Sequence, residues 1–353
     1  MATIIHEAPH QRVRKTEFPA ASRAFDWGAT FLSVLLMSGL NVDVWAHNHN
    51  RVDNTFFTVW HALMYGAFLL FAGFLTLVTI RNLNRGYGLA NALPRGYVLS
   101  LLGVAVFSIG GIGDMLWHTA FGIEKNTEAL LSPTHLVLGI GFILLFSGPV
   151  RAVWLRSEQP GANRWLQILP AVIGLSLGMT ILMVFTQYAN STYNAAYAGW
   201  NAVHSANEPN WLTLPLGISS IILQTAIMMG GLLLLVRRWR LPFGAATLVI
   251  LLPSMFISVY QDTMIFLPGI FIAGLVAEVL LWRLRPATAR PLQMGIFAFL
   301  VPTVYYIAFF LTIQAVQGVG WRIHAWAGAI AFAGFTGLLM ALLQVVPTRP
   351  SEA

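Results

Sequence analysis

The sequence holds no cysteine among its 353 residues. That absence excludes disulfides, iron–sulfur clusters, thiolate zinc sites and cysteine nucleophiles, so any metal must be held by imidazole, carboxylate or carbonyl groups. Charge is scarce too: 9% of residues are charged and 57% hydrophobic, against about 25% charged in an ordinary soluble domain. A water-soluble fold is excluded. Acidic groups number 13 against 20 basic ones, but the basic residues sit where membrane topology signals belong, so no nucleic-acid partner is expected. Hydrolase elbows, Walker loops and opposed mid-membrane histidines of the haem-bundle kind are also missing.

What the chain does have is long apolar runs. A hydrocarbon core about 30 Å thick takes roughly 20 apolar residues per helix, and ten such runs fall at 24–45, 55–80, 96–117, 133–156, 165–188, 211–236, 243–261, 263–283, 291–314 and 321–346. The expected fold is an all-α polytopic membrane protein of five helical hairpins in a lipid bilayer. Only Gln261 and Asp262 separate the seventh and eighth runs. The organisation reads as a tail at 1–23, a four-helix unit at 24–156, six further helices at 157–346 and a tail at 347–353.

All of the 20 Lys and Arg except Arg51, Lys125 and Arg322 fall in the N-terminal tail, in alternate connections or at the C-terminus. Because cytoplasmic loops hold the excess of positive charge, this places both termini in the cytoplasm and the protein in the plasma membrane. Residues 1–23 are polar and basic, with no evident cleavable leader, and read as a disordered tail drawn to anionic lipid.

The opposite, extracytoplasmic side collects His47, His49, His61, His118, His135, His204 and His324, together with Asp43, Asp53, Asp114, Glu124, Glu128, Glu208 and Asp262. Ionisable groups at membrane depth are expensive and face protein, a cavity or a metal. Their confinement to one side points to a shared polar site.

Two hairpins carry the same pattern. The first reads Asp43-Val-Trp-Ala-His47, a loop, then Trp60-His61 and Gly66; the second reads Asp114-Met-Leu-Trp-His118, a loop, then Ser132-Pro133-Thr134-His135 and Gly139. The runs Phe68-Leu-Leu-Phe-Ala-Gly73 and Ile143-Leu-Leu-Phe-Ser-Gly148 follow at similar offsets. This reads as an internal duplication of a hairpin.

Residues four apart share a helix face, so each D-x3-H offers a carboxylate and an imidazole to one point, and a second imidazole arrives from the returning helix. A single D-x3-H is ordinarily a hydrogen-bonded pair; two copies, each with a third ligand, point instead to metal. A 2-His-1-carboxylate set leaves coordination positions open for water, oxygen or substrate, and copper, iron(II) and zinc all suit it. The expected ligands are Asp43, His47 and His61 in one set and Asp114, His118 and His135 in the other, with His49 an alternative to His47 and Asp53 a loop residue or helix cap. If the first four helices pack together, the sets form a dinuclear centre.

The second copy resembles the copper-site segment in the C subunit of the particulate methane and ammonia monooxygenases, where an Asp and a Trp-His lead to a Thr-Pro-Ser-His on the next helix. Asp114, Trp117-His118 and Ser132-Pro133-Thr134-His135 match that pattern. The resemblance implies copper held by Asp114, His118 and His135, a monooxygenase-like oxidoreductase, and partner subunits in a larger membrane complex. It is confined to this segment, and the Arg-Asp step of that family is missing between the two histidines.

The other signals are weaker. His204 and His324 read as structural or loop residues, and Glu278 inside the eighth run as a buried pairing or a proton or cation site. Gly110-Gly111-Ile-Gly113 reads as close helix packing or a helix break. Trp45, Trp60 and Trp117 adjoin the candidate ligands as interfacial anchors or as a dry shell around a metal, and the aromatic loop 189–210 caps the outer cavity. The functional expectation is a copper-dependent oxidase or monooxygenase acting on a small or lipid-soluble substrate; the alternatives are a non-catalytic copper or zinc binder or transporter, and an accessory subunit.

Overall fold

A computed structural model describes residues 15–345 apart from 21, 52–55, 123, 125–126, 157–162, 191–197 and 200–211. Ten long helices follow one another among the described residues: α1 (Arg23–Asn48), α2 (Val59–Asn84), α3 (Val98–Phe121), α4 (Pro133–Leu155), α5 (Arg164–Phe185), α6 (Thr213–Arg238), α7 (Ala245–Gln261), α8 (Leu267–Leu284), α9 (Pro291–Val316) and α10 (Ile323–Gln344). Nine are long and apolar enough to cross a membrane. The exception, α7, has 17 residues and a length of about 26 Å at 1.5 Å per residue, somewhat short of the hydrocarbon core.

Local chemistry sets the ends. Ser22, Thr58 and Asn163 cap α1, α2 and α5 by accepting a backbone N–H from Phe25, His61 and Trp165, and Pro opens α4, α8 and α9 where its missing N–H costs nothing. The Gln261–Asp262 break is real: Asp262 takes left-handed dihedrals (φ 54°, ψ 30°) and a 3-10 turn, Met264–Phe266, leads into α8. Asp is among the few residues that adopt this conformation readily.

Consecutive pairs α1–α2, α3–α4, α7–α8 and α9–α10 pack as hairpins, whereas α5 packs mainly on α4 and α7, and α6 on α10. One apolar core gathers Phe71, Phe107, Phe142 and Phe146 from α2–α4; another gathers Met229, Leu232, Phe297 and Phe310 from α6 and α9. Helices α5 and α7 contribute to both. The outward faces carry Phe31, Leu69, Leu77, Ile109 and Leu116, all largely exposed, a surface that fits a lipid-like environment.

The first four helices run alternately up and down. At one end the buried Asp26 of α1 accepts from the Tyr97 hydroxyl (2.9 Å) and pairs with Arg156 beyond α4, while Arg151 reaches the Gly96 carbonyl. Gly96 makes this junction possible: it has φ 107°, and a Cβ there would lie 2.6 Å from the Ala152 nitrogen. At the other end stand the candidate ligands.

Candidate metal centre

The C-terminal turns of α1 and α3 meet the first turns of α2 and α4. On α1, Asp43 and His47 share a face; His61 of α2 brings Nε2 to 3.5 Å from Asp43 Oδ1, and His47 Nε2 lies 3.9 Å from Oδ2. On α3, Asp114 Oδ1 faces His118 Nε2 at 3.4 Å and His135 Nε2, from α4, at 3.0 Å. The two imidazole centroids of each set are 5.5 Å apart in both cases. One ligand atom from each residue lies within 4.8 Å of the others in Asp43–His47–His61, and likewise in Asp114–His118–His135. Each group can therefore hold a metal ion.

The imidazoles are held in a particular orientation. His61 donates Nδ1–H to the Phe56 carbonyl (2.6 Å), and His135 donates Nδ1–H to the Ala129 carbonyl (2.5 Å). His118 Nδ1 lies 3.3 Å from the Gly122 carbonyl and 3.0 Å from Glu124 Oε2. Carbonyls cannot donate, so each of these rings carries a proton on Nδ1 and turns its Nε2 toward a carboxylate. Lone pairs facing a carboxylate repel unless a proton or a cation stands between them. Asp43 Oδ1, buried and without a hydrogen-bond partner, shows the same deficit of positive charge. The donor set and its carbonyl-anchored tautomers fit a divalent metal.

Supporting residues differ between the centres. Thr134 Oγ1, itself 3.0 Å from Ser132 Oγ, donates to Asp114 Oδ1 at 2.9 Å; Asp43 lacks such a donor among the described residues. The centres are neighbours: the Phe56 ring lies 4.9 Å from His61 and 6.1 Å from His118, and Asp43 and His47 interact electrostatically with Asp114, His118 and His135.

Close helix approach builds both sites. A Cβ on Gly39 would lie 2.8 Å from Met64 Cα, and one on Gly110 would lie 3.1 Å from the Leu138 nitrogen. The Gly110–Gly113 run lies within the continuous helix α3 and packs closely, with no break. By contrast, the glycines that follow the second histidines are not equivalent: Gly66 has open space where Gly139 abuts Phe185.

Several residues lie elsewhere. His49 is no substitute for His47: its Nε2 pairs with Asp262 Oδ2 at 2.7 Å and its Nδ1 donates to the Trp45 carbonyl, and these two partners raise its pKa above the usual histidine value. Trp45 stacks on His49, Trp60 donates to the Arg51 carbonyl, and Trp117 packs on Phe121. Glu278 accepts the Thr247 N–H and so caps the first turn of α7. His324 is exposed near the start of α10. Asp53, His204, Glu208 and most of the 189–210 loop lie outside the described residues. The roles of Thr134, Glu124, Gly39 and the Phe56 carbonyl were missed by sequence reasoning; of these, only Thr134, adjoining His135 in the resembling segment, left a signal.

Comparison with protein-family models, curated proteins and solved structures returns no match.

Proposed function

We propose that the chain is a plasma-membrane copper protein, with both termini cytoplasmic and both centres extracytoplasmic, that acts as a monooxygenase-like oxidase on a small or lipid-soluble substrate. The observation that carries the reading is the convergence of two imidazole Nε2 atoms on one carboxylate in each hairpin, an arrangement that a cation completes. Copper is favoured over iron(II) and zinc by the likeness of the Asp114–His135 segment to the monooxygenase C subunit. The matching triads support duplication of one metal-binding hairpin, and the distribution of Lys and Arg supports the orientation.

A bound copper ion would supply redox chemistry. The chain's own residues do the rest. Asp114, His118 and His135 would hold one ion and Asp43, His47 and His61 the other; Thr134 donates to the Asp114 carboxylate and so orients it, and the Phe56 ring stands beside a histidine of each set, an apolar wall that would limit water there. The outward apolar faces of α2 and α3 favour approach from the bilayer. Such an oxidation would need electrons from a donor outside the chain.

A second reading, a copper carrier, draws on one feature: a small cavity between α5, α6, α7 and α9 lined by Met179, Met183, Met228, Gln224 and Ser254, where thioethers suit Cu(I).

Metal analysis of purified protein tests the proposal. Two copper equivalents are expected in the wild type and one in Asp114→Ala or His135→Ala. Absence of metal under replete conditions overturns the metal reading in favour of an accessory role, and copper without oxygen consumption favours the carrier.

A further inference from the structure

One turn below His61, the Tyr65 hydroxyl is buried and has no hydrogen-bond partner among the described residues. Its ring stands 6.3 Å from His61, 5.9 Å from Phe56 and 6.0 Å from Phe107. Across from it is Gly111 of α3, one turn below Asp114; a Cβ there would lie 2.8 Å from the ring carbon Cε1 and 3.3 Å from the hydroxyl oxygen. Glycine at 111 thus makes the room in which the phenol sits. The phenol also interacts electrostatically with Asp43 and Asp114, one carboxylate from each triad.

A buried O–H without an acceptor costs about 1–3 kcal/mol. Tyrosine stands here although Phe would fill nearly the same volume without that cost. No acceptor for it stands among the described residues, and a bound molecule would supply one. The polar neighbours on each side are metal-type centres with open positions, and the walls are the rings of Phe56 and Phe107, so the missing partner is small.

We infer that the space between the triads binds one small molecule bearing lone pairs, of the size of azide or formate, and that Tyr65 donates the hydrogen bond that orients it. The inference rests on the metal reading above and gives it a ligand class. Tyr65 is a positioning residue and contributes no metal ligand.

The test uses full-length, copper-loaded protein in detergent, titrated with azide and followed by the azide-to-copper charge-transfer absorption. Tyr65→Phe should keep both copper equivalents and bind azide about 10-fold more weakly; Gly111→Ala, which displaces the phenol, should weaken azide in the same direction. Without azide, Tyr65→Phe should melt at the same temperature as the wild type or higher. Equal azide affinity in wild type and Tyr65→Phe, or a lower melting temperature for Tyr65→Phe, overturns the inference while the metal reading stands. A wild type that takes up no copper overturns both.

Discussion

Gly39 lies so close to Met64 that a Cβ on the glycine would stand 2.8 Å from the methionine Cα. Gly39 is four residues before Asp43, and Met64 is three after His61. Gly110 and Leu138 stand in the same relation to Asp114 and His135, again in tight contact. In each hairpin the crossing point thus lies one helical turn below the carboxylate, where it fixes how near the second histidine comes. Gly39→Ala and Gly110→Ala should each separate one pair of helices at a cost of about 1–3 kcal/mol and lower metal occupancy at that hairpin alone. Metal content and thermal melting of the two variants check this.

Thr134 acts on metal through Asp114. Thr134→Val keeps the shape and removes the hydroxyl that donates to Oδ1. Copper affinity at the second centre should fall about 10-fold, within the range seen when such supporting partners are lost, with the first centre unaffected. Competition with a chelator measures it.

The far end of the bundle has its own test. Asp26 is 1% exposed and is compensated by Arg156 and the Tyr97 hydroxyl. Arg156→Ala leaves that carboxylate buried without its counter-charge and should destabilise the protein by about 3 kcal/mol. Asp26→Asn in the same background should restore part of the loss. Melting temperatures of the single and double variants give the coupling directly.

The His49–Asp262 contact joins the end of α1 to the α7–α8 turn. Because the folded protein raises the His49 pKa above its usual value of 6.5, the contact contributes fully below about that pH and is lost as pH rises through the raised value. The Trp45 carbonyl is the larger of the two causes and stays in place, so Asp262→Asn should reduce this pH dependence without abolishing it and leave metal content unchanged. A histidine NMR titration of wild type and variant reads the first, and metal analysis of the two proteins reads the second.

Local and repeated features were legible in the sequence. D-x3-H marks one helix face, its recurrence with a returning histidine marks a site, and ten apolar runs mark ten helices. Even the break at Asp262 was visible, because two polar residues interrupt a long apolar stretch. Contacts made by backbone or by distant residues left no trace. The Phe56 and Ala129 carbonyls that orient His61 and His135 carry no residue signature, and the pairing of Asp26 with Arg156 depends on how α1 packs beside α4. Gly39 was overlooked because a glycine in an apolar helix is unremarkable until its neighbour across the interface is known. The weak α5–α6 pairing was hidden for the same reason: adjacency in sequence implies a hairpin, and packing chose α7 instead.

X-ray absorption at the copper edge of the loaded wild-type protein tests the central claim most directly. The account predicts nitrogen and oxygen neighbours at about 2.0–2.2 Å, the outer scattering of imidazole rings, and no sulfur. Sulfur neighbours at about 2.3 Å would place the metal among the methionines and contradict the claim that the two Asp/His triads hold it.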